Sequence, residues 1–201
     1  MSAFTWPPDA SASDSDSDSF VRPAGGEQIP AAVLVPLFLA AETREPHVVL
    51  TRRRADLRRH AGEISFPGGR QDAEDQDLTA TALREAEEEI GLDRSRVELL
   101  GALAPTSTLA TNYVIHPFVG AIPAGVVWQL SAREVDAVLE LPLEALRAGR
   151  TRTRMERRGI TFETDTYVVD EHLIWGATAR ILETLLERLR TDAPDGGLSL
   201  A

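Results

Sequence analysis

Arg84-Glu85-Ala86-Glu87-Glu88-Glu89-Ile90-Gly91-Leu92 places four glutamates in five positions. On a helix, Glu85, Glu88 and Glu89 stand at i, i+3 and i+4, so their carboxylates stack on one face. Like charges at that spacing repel. A helix end at Gly91 also puts them near the unfavourable pole of the macrodipole. A segment that breaks two local rules at once marks a functional site. A divalent cation would turn the repulsion into ligation, and an all-oxygen donor set favours Mg²⁺ or Mn²⁺.

The surroundings supply a frame for this helix. Asp77 is a fair N-cap, Leu78, Ala82, Leu83, Ala86 and Ile90 form the expected buried face, and Gly91 suits the C′ position. Upstream, Phe66-Pro67-Gly68-Gly69 reads as a loop. Before it, the apolar run Ala31 to Ala40 suits a central strand, and His47 to Arg52 a second one, with Arg44-Glu45-Pro46 turning between them. Downstream, Val97 to Leu103 and Val114 to Ile122 read as strands. Glu134 to Glu140 alternates in part, Leu141 to Leu146 is a short helix, and Ile160 to Val169 is one long strand or a pair. Ile181, Leu182, Leu185, Leu186 and Leu189 predict an amphipathic helix over Thr178 to Arg190. Strands interleaved with few helices indicate a layered α/β or α+β domain.

Composition narrows the function. The chain has 201 residues, 43% hydrophobic content, no cysteine and a formal net charge of -11. One domain with a sizeable core fits that length. The acidity argues against nonspecific nucleic-acid or anionic-membrane binding. Without cysteine, neither disulfides nor thiolate metal sites are available. The apolar stretch Ala31 to Ala41 is too short to cross a bilayer, and the N-terminus does not read as a signal peptide. A cytoplasmic protein is therefore expected. The Ser/Asp run within residues 1–28 predicts a disordered acidic tail, and residues 192–201 a frayed end, leaving 29–191 as the folded domain. Against the overall acidity, Arg44, Arg52, Arg53, Arg54, Arg58, Arg59 and Arg70 cluster between positions 44 and 70. A local basic segment in an acidic protein suits a small anionic ligand.

Gly69 followed by Arg84, Glu85, Ala86, Glu88, Glu89, Gly91 and Leu92 resembles the signature box of the Nudix hydrolases. The middle of the box departs from the pattern: the first acid of the signature would fall on Gln76, so Asp75 or Glu74 inherits its role. A longer stretch, Val49-Leu50-Thr51-Arg52-Arg53-Arg54 with Arg58, Gly62 and Phe66-Pro67-Gly68-Gly69, is similar to the coenzyme A pyrophosphatase branch of that family. Thr81-Ala82-Leu83 and Trp175-Gly176 with Thr178-Ala179 add to it, while Arg54 stands where the branch carries a small residue.

The resemblance implies an α/β/α sandwich with a mixed sheet and a strand–loop–helix box. It implies Mg²⁺- or Mn²⁺-dependent hydrolysis of the diphosphate of coenzyme A and its thioesters, giving 3′,5′-ADP and 4′-phosphopantetheine or its acyl form. Glu85 and Glu89 would be the principal metal ligands, with Glu88 completing the site or helping to deprotonate the nucleophile. Glu134 is the candidate for a general base from a later loop. Gly68 and Gly69 offer amides to phosphate oxygens, since glycine presents no Cβ. Arg53 and Arg58 would contact phosphates through their guanidinium forks, and Arg84 would orient a neighbouring carboxylate. Glu87 reads as solvated, His60 and His116 as ordinary histidines, and Phe66 or Tyr113 as packing residues or adenine stackers. Other substrates remain open: ADP-ribose, a dinucleotide or a nucleoside triphosphate. A non-catalytic nucleotide sensor is the reading from a different class, and the full set of carboxylates counts against it. Oligomeric state is not legible.

Overall fold

The computed structural model describes residues 28–56, 62–108, 112–157 and 159–191. The expected disorder of the acidic tail falls almost wholly outside them, as do the expected frayed end, Arg58 and His60. In chain order the first elements are β1 (Ile29–Leu39), β2 (Pro46–Arg53), β3 (Ile64–Ser65), β4 (Gly68–Arg70), α1 (Leu78–Ile90) and β5 (Glu98–Ala102). They are followed by β6 (Thr106–Ser107), β7 (Tyr113–Ala121), β8 (Val135–Pro142), α2 (Leu143–Ala148), β9 (Arg150–Arg157), β10 (Ile160–Val169), β11 (His172–Ile174) and α3 (Gly176–Thr191).

The apolar run at the start becomes the spine of the molecule. Residues 31–39 of β1 are all buried, as a strand covered on both faces requires. One edge of β1 pairs in parallel with β7 from Ile29↔Tyr113 to Leu37↔Ala121. Its other edge is shared. β4 pairs antiparallel with Ala31–Val33, and β2 antiparallel with Leu37–Leu39. Pro36 falls in the interval between these two partners, where its missing N–H removes no ladder bond on that edge. β8 and β3 extend the sheet from β2, and β5 and β6 pair with β7. A second, three-stranded sheet runs β11-β10-β9.

Alternation along β1 divides the core. Ala32, Leu34 and Phe38 pack with Val49 of β2 and with Ala82, Ala86 and Ile90 of α1. Val33, Val35 and Leu37 face the opposite layer, with Leu143 and Leu146 of α2 and Ile181, Leu182 and Leu185 of α3. Helices on both faces of a mixed sheet make the α/β/α sandwich that was expected. Each large apolar side chain buried this way contributes about 1.5–3 kcal/mol.

Three details differ from the sequence reading. Leu78 and Leu83 are only partly buried, whereas Thr81 and Glu89 join the buried face of α1. β9 is a full strand paired with β10 over eight residue pairs, from Ile160↔Arg157 to Tyr167↔Arg150. Its Arg-Thr-Arg-Thr-Arg pattern has no apolar face to announce it. Phe66 is 2% exposed within the core beside α3, which leaves it a packing residue and not a stacking platform.

Candidate active site

Helix α1 is capped at both ends by residues the sequence provides. The Ala80 N–H donates to Asp77 Oδ1 at 2.8 Å. At the other end Gly91 adopts φ 68°, and its N–H donates to Glu87 O at 3.0 Å. The last carbonyls of the helix are taken up by the segment before β8. Gln129 N–H donates to Ile90 O at 3.0 Å and Ser131 N–H to Glu89 O at 2.9 Å. That segment is thereby fixed to the glutamate helix and carries Glu134 to the site.

Gly68 and Gly69, read from the sequence as part of a loop, open strand β4 and lie directly against two of the glutamates. The Gly68 N–H donates to Glu89 Oε2 at 3.3 Å. A Cβ placed on Gly69 would come within 2.8 Å of Glu85 Oε2, so glycine is what lets the carboxylate reach the loop. Glu89 is 5% exposed. Burial above all, then the Glu85 carboxylate, pushes its pKa up to about 8, against the pull of the Gly68 N–H and Arg53. Burial also raises Glu85, with Arg84 opposing. A buried Glu89 beside a half-buried Glu85 is a costly place for two negative charges.

Arg84 is the hub of the charge network. Its Nε and Nη2 grip Asp75 as a fork at 2.9 and 3.0 Å, its Nη1 reaches Glu85 at 3.0 Å and Glu88 at 3.2 Å, and its Nη2 also donates to Arg70 O at 3.2 Å. Asp75 further accepts from Thr81 Oγ1 and from the Asp72 N–H, each at 2.9 Å. The Arg84 guanidinium holds the Asp75 carboxyl far below the usual carboxylate range. Of the two candidates for the first acid of the box, Asp75 has taken the place and Glu74 has not. The departure in the middle of the box is absorbed between β4 and α1 without disturbing the helix.

The remaining candidates separate clearly. Arg53 bridges to Glu89 at 3.7 Å and to Glu134 at 3.5 Å, so the structure joins these three. Glu88 is exposed and engaged with Arg84, and among the described residues no three His, Asp or Glu side chains converge as a ready metal cage. Glu87 pairs with Arg94 at the surface. Arg54, the unusual residue of the basic segment, forks onto Asp56 at 2.9 and 2.7 Å and also donates to Ala132 O. Its backbone N–H donates to Glu134 O at 3.0 Å. Arg54 thus clamps the end of β2 to the Glu134 segment. No local signal in the sequence announces that clamp, or the docking of Gln129 and Ser131, because each partner is remote along the chain.

The model for the NUDIX domain family matches residues 29–162. A protein of Photorhabdus laumondii described as an uncharacterized Nudix hydrolase, NudL, is 40% identical over 162 residues, covering 80% of this chain and 84% of its own. Among solved structures, a MutT/nudix family protein from Enterococcus faecalis aligns with a TM-score of 0.58 at 14% identity, over 88% of this chain and 67% of its own. The NUDIX domain of Shewanella oneidensis NrtR, solved with ADP ribose, aligns with a TM-score of 0.51 at 17% identity, over 85% and 94%. A glycine loop seated under a glutamate helix on a mixed α/β/α sheet therefore defines the class as a Nudix fold. The chain belongs to the Nudix hydrolases, enzymes acting on nucleoside diphosphate derivatives and generally dependent on a divalent cation. Among the described residues no helix is long and apolar enough to cross a membrane.

Proposed function

We propose that the protein hydrolyses the diphosphate bond of coenzyme A and its thioesters, with Mg²⁺ or Mn²⁺, in the cytoplasm. The observation that carries this reading is the convergence of Arg53, from the basic segment that resembles the coenzyme A branch, with Glu89 and Glu134. It brings the segment read as substrate-selecting beside the glutamate helix.

Glu85 and Glu89 fit a divalent cation by chemistry: both are hard oxygen donors, burial raises the cost of ionising each, and the Glu85 carboxylate adds to that cost at Glu89. Glu88 is the third donor of this reading. The bound cation would neutralise the diphosphate and lower the pKa of an attacking water. The protein's own groups do the rest. The Gly68-Gly69 backbone brings the loop within reach of a phosphate, Arg84 steadies Glu85, and Arg53 offers its guanidinium to a phosphate oxygen. Glu134, exposed and with its backbone held by the Arg54 clamp, would accept a proton from water.

The test compares kcat/KM for coenzyme A, ADP-ribose and diadenosine polyphosphates, with and without metal. Preference for coenzyme A is expected, and a clear preference for ADP-ribose would sink the substrate assignment. Glu89→Gln is expected to lower kcat by roughly 10²–10³-fold, as loss of a transition-state contact does. Full activity in that variant would remove Glu89 from the metal site. ADP-ribose is the second reading, favoured by the ADP ribose bound to the structurally similar NrtR domain.

A further inference from the structure

Arg53 brings a cation to a place where it is poorly paired. Its Nε is buried, and among the described residues nothing accepts its proton. Its terminal nitrogens stand 3.7 Å from Glu89 Oε1 and 3.5 Å from Glu134 Oε2. Both distances exceed the about 2.7–2.9 Å of a charge-assisted N–H···O bond. A buried donor without an acceptor is unfavourable, and each one in a folded protein needs a reason. Arg84 makes the contrast. All three of its guanidinium nitrogens donate to acceptors at 2.9–3.2 Å, which fixes it as a structural cation.

The backbone of Arg53 is as firm as its side chain is loose. Its N–H donates to Glu63 O at 3.0 Å, and the register of β2 against β8 shifts between Arg52 and Arg53. The irregularity falls where the side chain must be aimed at Glu89. The side chain keeps 28% of its surface exposed, so its head has room to turn. A long, partly exposed cation on a firmly bonded strand can change partners without moving the fold.

We infer that Arg53 is an exchangeable counter-cation. Without metal its guanidinium stands beside Glu89 and balances Glu134; when a divalent cation takes Glu89 in place of its proton, the two cations repel and Arg53 is released toward a diphosphate oxygen. The guanidinium leaves a like charge beside Glu89 and gains phosphate acceptors in exchange for its long contacts. Metal and diphosphate binding are then coupled through one side chain. The inference rests on the reading that Glu85 and Glu89 hold the metal.

Calorimetric titration of the full chain tests it, first with Mn²⁺ alone and then with methylenediphosphonate at saturating Mn²⁺. Arg53→Met removes the competitor and the phosphate donor together. It should bind Mn²⁺ roughly tenfold more tightly, as relief of one like-charge repulsion does, and methylenediphosphonate roughly tenfold less tightly, the size of one charged hydrogen bond. A residue that merely props up Glu89 would weaken both on removal. Mn²⁺ affinity in Arg53→Met equal to or below that of the wild type overturns the inference. Arg53→Lys keeps the charge and loses the fork, so its Mn²⁺ affinity should lie between the other two. It decides the matter if the methionine variant does not fold: an affinity no higher than wild type overturns the exchange. Glu89→Gln separates the two levels. Undiminished Mn²⁺ binding there overturns the metal reading and the inference together. Binding lost in Glu89→Gln but unchanged in Arg53→Met overturns the exchange alone.

Discussion

Gly69 and Glu85 sit so close that one added methyl group on the glycine would collide with the carboxylate. The atoms it would meet are the far end of a flexible side chain, so the fold can yield there. Gly69→Ala should therefore leave the melting temperature within a few degrees of wild type, yet push Glu85 out of place and lower kcat by roughly 10²-fold. Gly68→Ala should behave differently. Its Cβ would lie 2.6 Å from Val33 Cα, against backbone that cannot move aside. That variant is expected to lose more than about 2 kcal/mol of stability, as overpacking in a rigid place does. Denaturant unfolding beside steady-state kinetics would check the pair, and equal stability losses would refute the distinction.

The raised pKa of Glu89 sets a pH signature for the metal-free protein. Unfolded, the carboxyl titrates near about 4.3; folded, it titrates at about 8. Between those values the folded state binds the extra proton, so stability falls as pH rises through the window and levels off above about pH 8. Below the unfolded value the contribution is fully present. Glu89→Gln should flatten this slope, and its stability at pH 8 should exceed that of the metal-free wild type. Thermal unfolding from pH 5 to 9 in chelator would show it. A wild-type slope that survives in Glu89→Gln would locate the titration elsewhere.

Asp75 has the opposite sign. Its folded carboxyl lies far below the unfolded value, so its contribution is present above about pH 4 and is lost only as pH falls toward the folded pKa. Asp75→Asn should cost about 3 kcal/mol at neutral pH, because it leaves a largely buried guanidinium without its fork partner. Released from Asp75, Arg84 should also hold Glu85 less firmly, and kcat should drop while KM changes little. Urea unfolding at pH 7 would measure the first effect. The substitution Glu74→Gln, by contrast, should change neither quantity.

Thr178, at the start of α3, donates through Oγ1 to Ile64 O across a buried contact. That bond steadies β3, which leads into Phe66-Pro67-Gly68-Gly69. Thr178→Val keeps the shape and strands the carbonyl, at an expected cost of about 1–3 kcal/mol. Thr178→Ser should restore most of it. If the valine variant is as stable as wild type, the contact has no role in holding the loop.

Much of this was legible in the chain because the signals are local. The apolar run of β1, the Asp77 and Gly91 caps and the spacing of the glutamates each lie within a few turns of sequence, and each formed the element it predicted. The substitution of Asp75 for the first acid was readable only as a choice between two carboxylates. Geometry decided it, because Asp75 alone meets both Arg84 and Thr81. Contacts that span the fold were not legible. Nothing near Arg54 in sequence points to Ala132, nor does Ser131 point to the end of α1. β9 stayed hidden because its pairing depends on β10 and not on an apolar face.

The divided edge of β1 makes that strand a gauge block for the site. β2 hangs from its C-terminal half and delivers Arg53; β4 hangs from its N-terminal half and delivers Gly68. The distance between Arg53 and the paired glycines is thus counted in residues of a single strand. One residue inserted between Val33 and Leu37 would rotate everything beyond it to the opposite face of the sheet. Hydrolysis should therefore tolerate drift in amino-acid type along β1 far better than a change in its length.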